Sequence, residues 1–212
     1  GSHLGISWGL PSTAAMMPQL ASSGYGKTNY EGYMTLNGDF KFLTPLTNGG
    51  YNWGPTNWGD DGSFGGVLLS NSGTNANIAA GYYLVKANTA TTGTGALQYS
   101  ADPITWSVTG SATPLGWPAG SGVAGQDHDM TYNATTKKWT VTLALTGGQE
   151  LKFRANDAWT INLGKFNPLK IGNDYGGETM SYSGDNIPVA TSGTYTITLD
   201  LSNPRDYKYS IN

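Results

Sequence analysis

The stretch Glu150–Trp159 reads Glu-Leu-Lys-Phe-Arg-Ala-Asn-Asp-Ala-Trp and is the clearest structural signal in the sequence. Its first half alternates, so Leu151 and Phe153 face one side of a predicted strand and Lys152 and Arg154 face the other. An Asn-Asp turn and a tryptophan follow at once. Cations, amides and an indole are the groups that hold a sugar ring, because the indole stacks on its apolar face while polar groups hydrogen-bond its hydroxyls. An ordinary edge strand with solvated charges and a core tryptophan is the alternative interpretation.

The same pattern occurs earlier in the chain, where Asp39-Phe40-Lys41-Phe42 matches Glu150-Leu151-Lys152-Phe153. Each copy follows an alternating strand and a glycine-containing hairpin signal. These are Tyr30–Leu36 with Asn37-Gly38, and Trp139–Leu145 with Gly147-Gly148. Later landmarks keep a nearly constant offset: Asn77 with Asn186, Tyr83 with Tyr195, and Tyr99 with Tyr209. The period far exceeds the roughly 20–50 residues of solenoid repeats, so the sequence predicts duplication of a whole domain.

The duplication predicts two domains of about a hundred residues each. The first spans residues 4–101 and the second residues 102–212, joined near Ala101-Asp102-Pro103. Residues 1–3, Gly-Ser-His, resemble a tag-cleavage remnant and are left out of the fold. Seven or so short strands in each copy, separated by frequent turns, predict an all-β chain of two β-sandwiches.

Composition agrees with this fold class and excludes several functions. The chain contains 31 glycines, and 12% of its residues are charged, against roughly 25% in an average soluble domain. A net charge of −3 leaves no basic face to neutralise the phosphates of a nucleic acid. Cysteine is absent, which excludes disulfides and a thiol nucleophile. No apolar run approaches the length of a membrane-spanning helix.

The first copy has a long loop between Thr44 and Asp61. Tyr51, Trp53 and Trp58 lie among its glycines and asparagines, with no hydrophobic period that would bury them. Long loops with this content are often functional. A loop packed on its own aromatic side chains is the alternative.

The segment Gln126–Asp129, Gln-Asp-His-Asp, is the richest acid and histidine cluster of the chain. Such close spacing without a distant partner is typical of a turn with capping carboxylates rather than of a metal site. We therefore predict no metal and no cofactor. Four aromatic residues are assigned to the cores: Phe42, Trp106, Trp139 and Phe153.

At the repeated landmarks the chain resembles the carbohydrate-binding modules of SusE/SusF-type proteins, surface lipoproteins of starch-utilisation systems in Gram-negative bacteria. The resemblance covers nearly the whole chain, and its motifs are specific as an ordered set that occurs twice. They are Tyr30-Glu31-Gly32-Tyr33, Phe40-Lys41-Phe42, Gly116-Trp117, Leu151–Arg154, Trp159, Asn162, Gly164, Asn186-Ile187, Gly193-Thr194-Tyr195 and Leu199-Asp200-Leu201.

The resemblance implies tandem immunoglobulin-like binding modules without catalytic activity. It also implies a lipid-anchored, monomeric protein on the outer face of the outer membrane, working with other surface components of a glycan-uptake system. The implied ligand is starch or a related α-glucan, held by aromatic pairs and by Lys or Arg. A β-linked plant glycan also suits these residue types.

Carried over by position, the second copy has Trp117 and Trp159 as stacking platforms. Lys152, Arg154 and Asn156 are its predicted hydrogen-bonding residues. The first copy departs from this pattern, because Leu43 stands where Arg154 stands and Pro45 where Asn156 stands. Its candidate site uses the long loop instead: Lys41, Tyr51, Trp53 and Trp58.

Two other functions were weighed. A glycoside hydrolase needs two carboxylates about 5–9.5 Å apart in a cleft, whereas the acids of this chain lie mostly in turns and none recurs at matched positions. A structural or adhesive spacer would pack its loop aromatics away from solvent. The sequence favours glycan binding over both.

Overall fold

The computed structural model describes residues 18–44, 57–71, 73–170 and 179–212. The chain divides into two compact units, Gly1–Pro103 (unit 1) and Ile104–Asn212 (unit 2). Within the described residues every strand pairing is antiparallel. The one helical element there is a short 3-10 helix, Pro168–Lys170, where the sequence predicts a strand from Phe166 to Ile171. A search of the same residues for a helix long and apolar enough to cross a membrane finds none.

Unit 1 contains a four-stranded sheet and a three-stranded sheet. The larger sheet has the order β1 (Ala21–Ser22), β2 (Asn29–Phe40), β6 (Ala76–Asn88), β7 (Gln98–Pro103). The smaller sheet has the order β3 (Phe42–Leu43), β4 (Asn57–Asp60), β5 (Leu68–Ser70).

Unit 2 contains a four-stranded sheet and a six-stranded sheet. The four strands are β10 (Thr131–Asn133), β11 (Lys138–Leu145), β16 (Gly193–Asp200) and β17 (Lys208–Ile211). The second sheet has the order β14 (Met180–Tyr182), β13 (Ala158–Lys165), β12 (Gln149–Ala155), β8 (Trp106–Thr109), β9 (His128–Asp129), and β15 (Ile187–Val189) also pairs with β12. Both units are therefore β-sandwich-like.

The cores form from the alternating apolar residues of these strands. In unit 1 the cluster contains Leu36, Phe40, Ala76, Tyr83 and Val85, and the partly buried Phe42 packs against it. In unit 2 the largest fully buried apolar side chains include Trp106, Phe153 and Tyr207. The predicted burial of Trp106, Trp139 and Phe153 is confirmed.

The two units repeat the same ladder register around the Lys-Phe segment. Phe42 pairs with Trp58 and Leu43 with Asn57, as Phe153 pairs with Leu163 and Arg154 with Asn162. The equivalent rungs correct one predicted match. Phe40 opposite Ala76 corresponds to Leu151 opposite Ile187, so Asn75 rather than Asn77 is the counterpart of Asn186. Each donates to the acid before the Lys-Phe segment, Asn75 to Asp39 and Asn186 to Glu150.

The predicted hairpins at Asn37-Gly38 and Gly147-Gly148 are wrong. In unit 1, β2 continues through Gly38 (φ +80°) with a register shift, because β6 is long enough to pair on both sides of it. In unit 2, β11 pairs with β10 and β16, while β12 pairs with β8, β13 and β15. Glycine supplies the positive φ in both cases. Gly38 forms a bulge within β2, and Gly148 lies in the connection between strands of two different sheets, so neither glycine forms a tight hairpin turn.

Candidate functional site

The turn between β12 and β13 brings the indole of Trp159 next to the Lys-Phe-Arg strand. Asn156 and Asp157 have φ values of 51° and 54°, the pair of left-handed residues that a two-residue hairpin uses. The Asn156 side-chain oxygen accepts hydrogen bonds from the Thr105 backbone N–H (2.8 Å) and hydroxyl (3.2 Å). This oxygen therefore fixes the turn, where the sequence predicts a contact with sugar.

The predicted platform residues lie together. The ring centroids of Trp117 and Trp159 are 6.1 Å apart and their planes meet at 41°. Trp117 is 39% exposed and Trp159 is half-buried. Two indoles that are adjacent, tilted and partly exposed form a bent aromatic surface.

Trp117 belongs to the segment between β8 and β9, residues 110–127, which we call the platform loop. Its second half is joined to the β12–β13 hairpin by one backbone and one side-chain hydrogen bond. The Gly122 N–H donates to the Asp157 carbonyl (2.7 Å), and the Trp159 N–H donates to the Ser121 hydroxyl (3.3 Å). Both indoles are thus carried by segments that hydrogen-bond each other.

The structure corrects the predicted role of Arg154. Its side chain has no solvent exposure, since Nε and Nη2 donate to the Asp127 carboxylate and Nη1 donates to the Gly120 carbonyl at 2.9 Å. The guanidinium carbon lies 5.3 Å from the ring centroid of Trp159, within cation–π range. Arg154 therefore lies beneath the indole pair and does not face solvent.

Lys152 lies on the Arg154 face of β12, because side chains two residues apart on a strand point the same way. It is half-buried, opposite Thr109 of β8. Asn162 of β13 lies opposite Arg154, and its Nδ2 donates to the Trp159 carbonyl at 2.9 Å. The buried Asn162 Oδ1 has no hydrogen-bond partner among the residues described.

Carboxylates surround the base of the platform loop. Burial raises the pKa of Asp157, the charges of Asp127 and Asp129 raise it further, and Arg154 opposes them. Burial lowers the pKa of His128, and the same two aspartates oppose that shift. Asp129 accepts a hydrogen bond from Ser107 at 2.9 Å. In the ranges that the structure covers, no group of three His, Cys, Asp or Glu side chains is arranged to hold a metal ion.

In unit 1 the structure describes two of the predicted site residues, Lys41 and Trp58, and does not bring these two together. Tyr51 and Trp53 lie outside the described residues. Lys41 donates to the Gly73 carbonyl at 2.9 Å. Trp58 pairs with Phe42 and so lies on the opposite face of the strand from Lys41 and Leu43.

The sequence did not single out Asp127 as the partner of Arg154, nor Ser121 and Asn162 as supports of Trp159. Asp127 is 27 residues from Arg154, and nothing in the local pattern of either residue signals the pair. An arginine on a strand whose sheet face is covered needs a partner, because an unpaired buried charge is costly. This charge is the one signal in the sequence that could have suggested a buried carboxylate.

Comparison with known proteins adds no identity, since no family model and no curated protein matches the chain. The chemistry is therefore inferred from the geometry of the site. Two adjacent, tilted and partly exposed indoles offer a surface on which a flat apolar ring face can stack.

Proposed function

We propose that the chain is a non-catalytic glycan-binding protein whose principal site is the Trp117–Trp159 platform of unit 2. The paired indoles carry the proposal, because a bent aromatic surface matches successive rings of a curved polysaccharide. Starch or a related α-glucan is the ligand class, as the family resemblance implies. Lys152 is the hydrogen-bonding cation, while Arg154 and Asn156 support the platform from within.

We further propose that each unit has the immunoglobulin-like form of the β-sandwich. The Tyr83 hydroxyl donates to the Ala79 carbonyl at 2.9 Å, and the Tyr195 hydroxyl donates to the Thr191 carbonyl at 3.0 Å. A tyrosine that hydrogen-bonds the backbone a few residues upstream is a feature of that fold. Its occurrence at equivalent positions in both units supports the proposal.

The family resemblance also supports a location for the protein at the cell surface. A lipid-anchored position on the outer face of the outer membrane would place the platform where extracellular polysaccharide arrives. The other surface components of a glycan-uptake system would be its partners, and the protein would act as a monomer.

The site is expected to be weak. An aromatic stacking pair contributes about 0.5–1.5 kcal/mol and a neutral hydrogen bond about 1 kcal/mol net. A few such contacts give affinities of roughly micromolar to millimolar. Binding to a polymer would gain from repeated sites along the ligand.

Affinity electrophoresis in gels containing pullulan, glycogen or xyloglucan tests the proposal. We expect α-glucans to retard the parent protein, and Trp117→Ala and Trp159→Ala each to weaken binding by about two- to tenfold, the factor that corresponds to one stacking contact. Tyr25→Ala is the matched control, since Tyr25 is a fully exposed aromatic residue of unit 1.

Each outcome decides between the candidates. Retardation by xyloglucan alone would keep glycan binding and reject the α-glucan. The absence of retardation in every gel would favour the spacer. Release of reducing sugar from starch, lost in Asp157→Asn, would overturn the non-catalytic assignment.

A further inference from the structure

The buried ion pair beneath the platform is more than the strand ladder requires. In unit 1 the rung equivalent to Arg154–Asn162 is Leu43–Asn57, and the ladder forms with leucine in place of arginine. Burying two charges carries a large desolvation cost, and apolar residues of similar volume are often as stable. The presence of Arg154 therefore calls for an explanation other than folding.

The contacts of Arg154 connect the parts that carry the two indoles. Its three donors reach Asp127, at the end of the platform loop, and Gly120, three residues after Trp117. Its guanidinium carbon lies over the Trp159 ring, 5.3 Å from the ring centroid. One rigid side chain thus contacts both the segment that carries Trp117 and the ring of Trp159.

We infer that Arg154, held by Asp127, is the positioning residue that sets the distance and tilt of the Trp117–Trp159 pair. Arginine suits this role because its guanidinium is planar and forms a fixed two-pronged contact with a carboxylate. Lysine carries the same charge but has no planar group that can donate to the carboxylate and the Gly120 carbonyl at once while it lies over the indole. The consequence for ligand affinity rests on the proposed function, whereas the consequence for indole geometry does not.

The test uses a property of the indole pair that needs no ligand. Two indoles with ring centroids 6.1 Å apart couple their electronic transitions and produce an exciton couplet in circular dichroism. The sign and amplitude of the couplet depend on the distance and the angle between the two rings. Trp117→Phe and Trp159→Phe should each abolish the couplet and thereby assign it. The test variant replaces both charges, Arg154→Leu with Asp127→Leu, so that no charge is left buried alone.

We expect the double variant to fold, to lose or alter the couplet, and to bind α-glucan about two- to tenfold more weakly, the factor that corresponds to loss of one stacking contact. Arg154→Lys should change the couplet in the same direction. Arg154→Met with Asp127→Asn, which also leaves no charge buried alone and keeps the shape of the carboxylate, gives the same two measurements if the first double variant does not fold.

Two outcomes would overturn the inference, and a third would overturn only its consequence for binding. A folded variant with an unchanged couplet and reduced affinity would make Arg154 a direct ligand contact. An unchanged couplet with unchanged affinity would make the ion pair irrelevant to the site. An altered couplet with full affinity would show that binding does not depend on platform geometry. If the parent protein binds no glycan, the proposed function fails while the couplet still decides whether Arg154 positions the indoles.

Discussion

Asp60 in unit 1 is a second buried carboxylate, and its partners are all neutral. The side chain is inaccessible to solvent. It accepts hydrogen bonds from the backbone N–H groups of Gly62 (2.7 Å) and Phe64 (2.9 Å) and from the Tyr99 hydroxyl (2.7 Å). Burial acts to raise the pKa of Asp60, but the three hydrogen bonds outweigh it, so the pKa lies below the ordinary 3.8. Burial and the hydrogen bond to Asp60 raise the pKa of Tyr99.

A lowered pKa in the folded state means that the ionised Asp60 stabilises the fold. This contribution is complete above the unfolded pKa and is lost as the pH falls through the folded pKa. We expect Asp60→Asn to lose about 1–3 kcal/mol of unfolding free energy near neutral pH, because an amide cannot accept all three hydrogen bonds. The loss should shrink on acidification, as measured by urea unfolding at about pH 7 and about pH 3.

Asp61→Asn is the control for that experiment, since Asp61 is exposed and its carboxylate bonds only Ser63 among the contacts seen. It should change the unfolding free energy little at either pH. An Asp60→Asn variant whose deficit stays constant from neutral to acidic pH would contradict the ionised state of the carboxylate.

At the scale of single residues, the sequence predicted which aromatic side chains are buried, but it did not predict which residues pair with the buried charges. Alternation correctly assigned Trp106 and Phe153 to the core, because strand periodicity reports which face a side chain takes. It could not show that Asp60 meets Tyr99, 39 residues away, or that Arg154 is covered. Both depend on loops whose paths local propensity does not determine.

At the scale of strands, glycines mark where two segments of backbone cross closely. A Cβ on Gly164 of β13 would overlap the carbonyl oxygen of Asp185 and, at 2.8 Å, that of Gly184. Lys165 and Asp185 are paired at the same crossing. Asp60 and Thr74 pair at the equivalent crossing in unit 1, beside Gly73. Backbone atoms cannot move aside as the end of a side chain can.

We therefore expect Gly164→Ala to destabilise unit 2 by about 1–3 kcal/mol or more, the range for forcing an extra methyl group into a packed site. Thermal or urea unfolding measures the effect. Gly120→Ala is the matched control, because nothing lies within 4 Å of its Cβ position. Equal stability of the two variants would contradict the close crossing at Gly164.

The strands themselves were largely predictable and their connections were not. The pattern located β11, β16 and the turn at Asn156-Asp157, because alternation and paired turn residues are local signals. It mistook Gly38 and Gly147-Gly148 for hairpin turns, since a glycine with positive φ suits a bulge as well as a turn. The long β6 partner that keeps β2 continuous is not visible in the sequence of β2.

At the scale of the whole molecule, the two units carry the same ladder and different surfaces. The pair of indoles and its supports lie within unit 2, and the described residues of unit 1 include no equivalent of Arg154. Residues 104–212 should therefore fold alone and bind a short α-glucan as tightly as the full chain. Isothermal titration with maltoheptaose compares the two.

A polymeric ligand allows the full chain and residues 104–212 to be compared for a second binding site in unit 1. If unit 1 also binds, the full chain should hold pullulan much more tightly than residues 104–212 do, because linked sites gain avidity. Similar affinity of both for the polymer is the result that we expect. A folded fragment that fails to bind the oligosaccharide retained by the full chain would contradict the assignment of the site to unit 2.

The rung occupied by leucine in one unit and arginine in the other has an evolutionary consequence. The ladder forms with leucine in one unit and with arginine in the other, so a change at this rung that is made together with its carboxylate partner can alter the surface above it while the strand pairing is kept. Gene duplication provides two such positions on one chain. If the chain binds glycan as proposed, its two halves can change their preference one copy at a time, while the other copy keeps the original one.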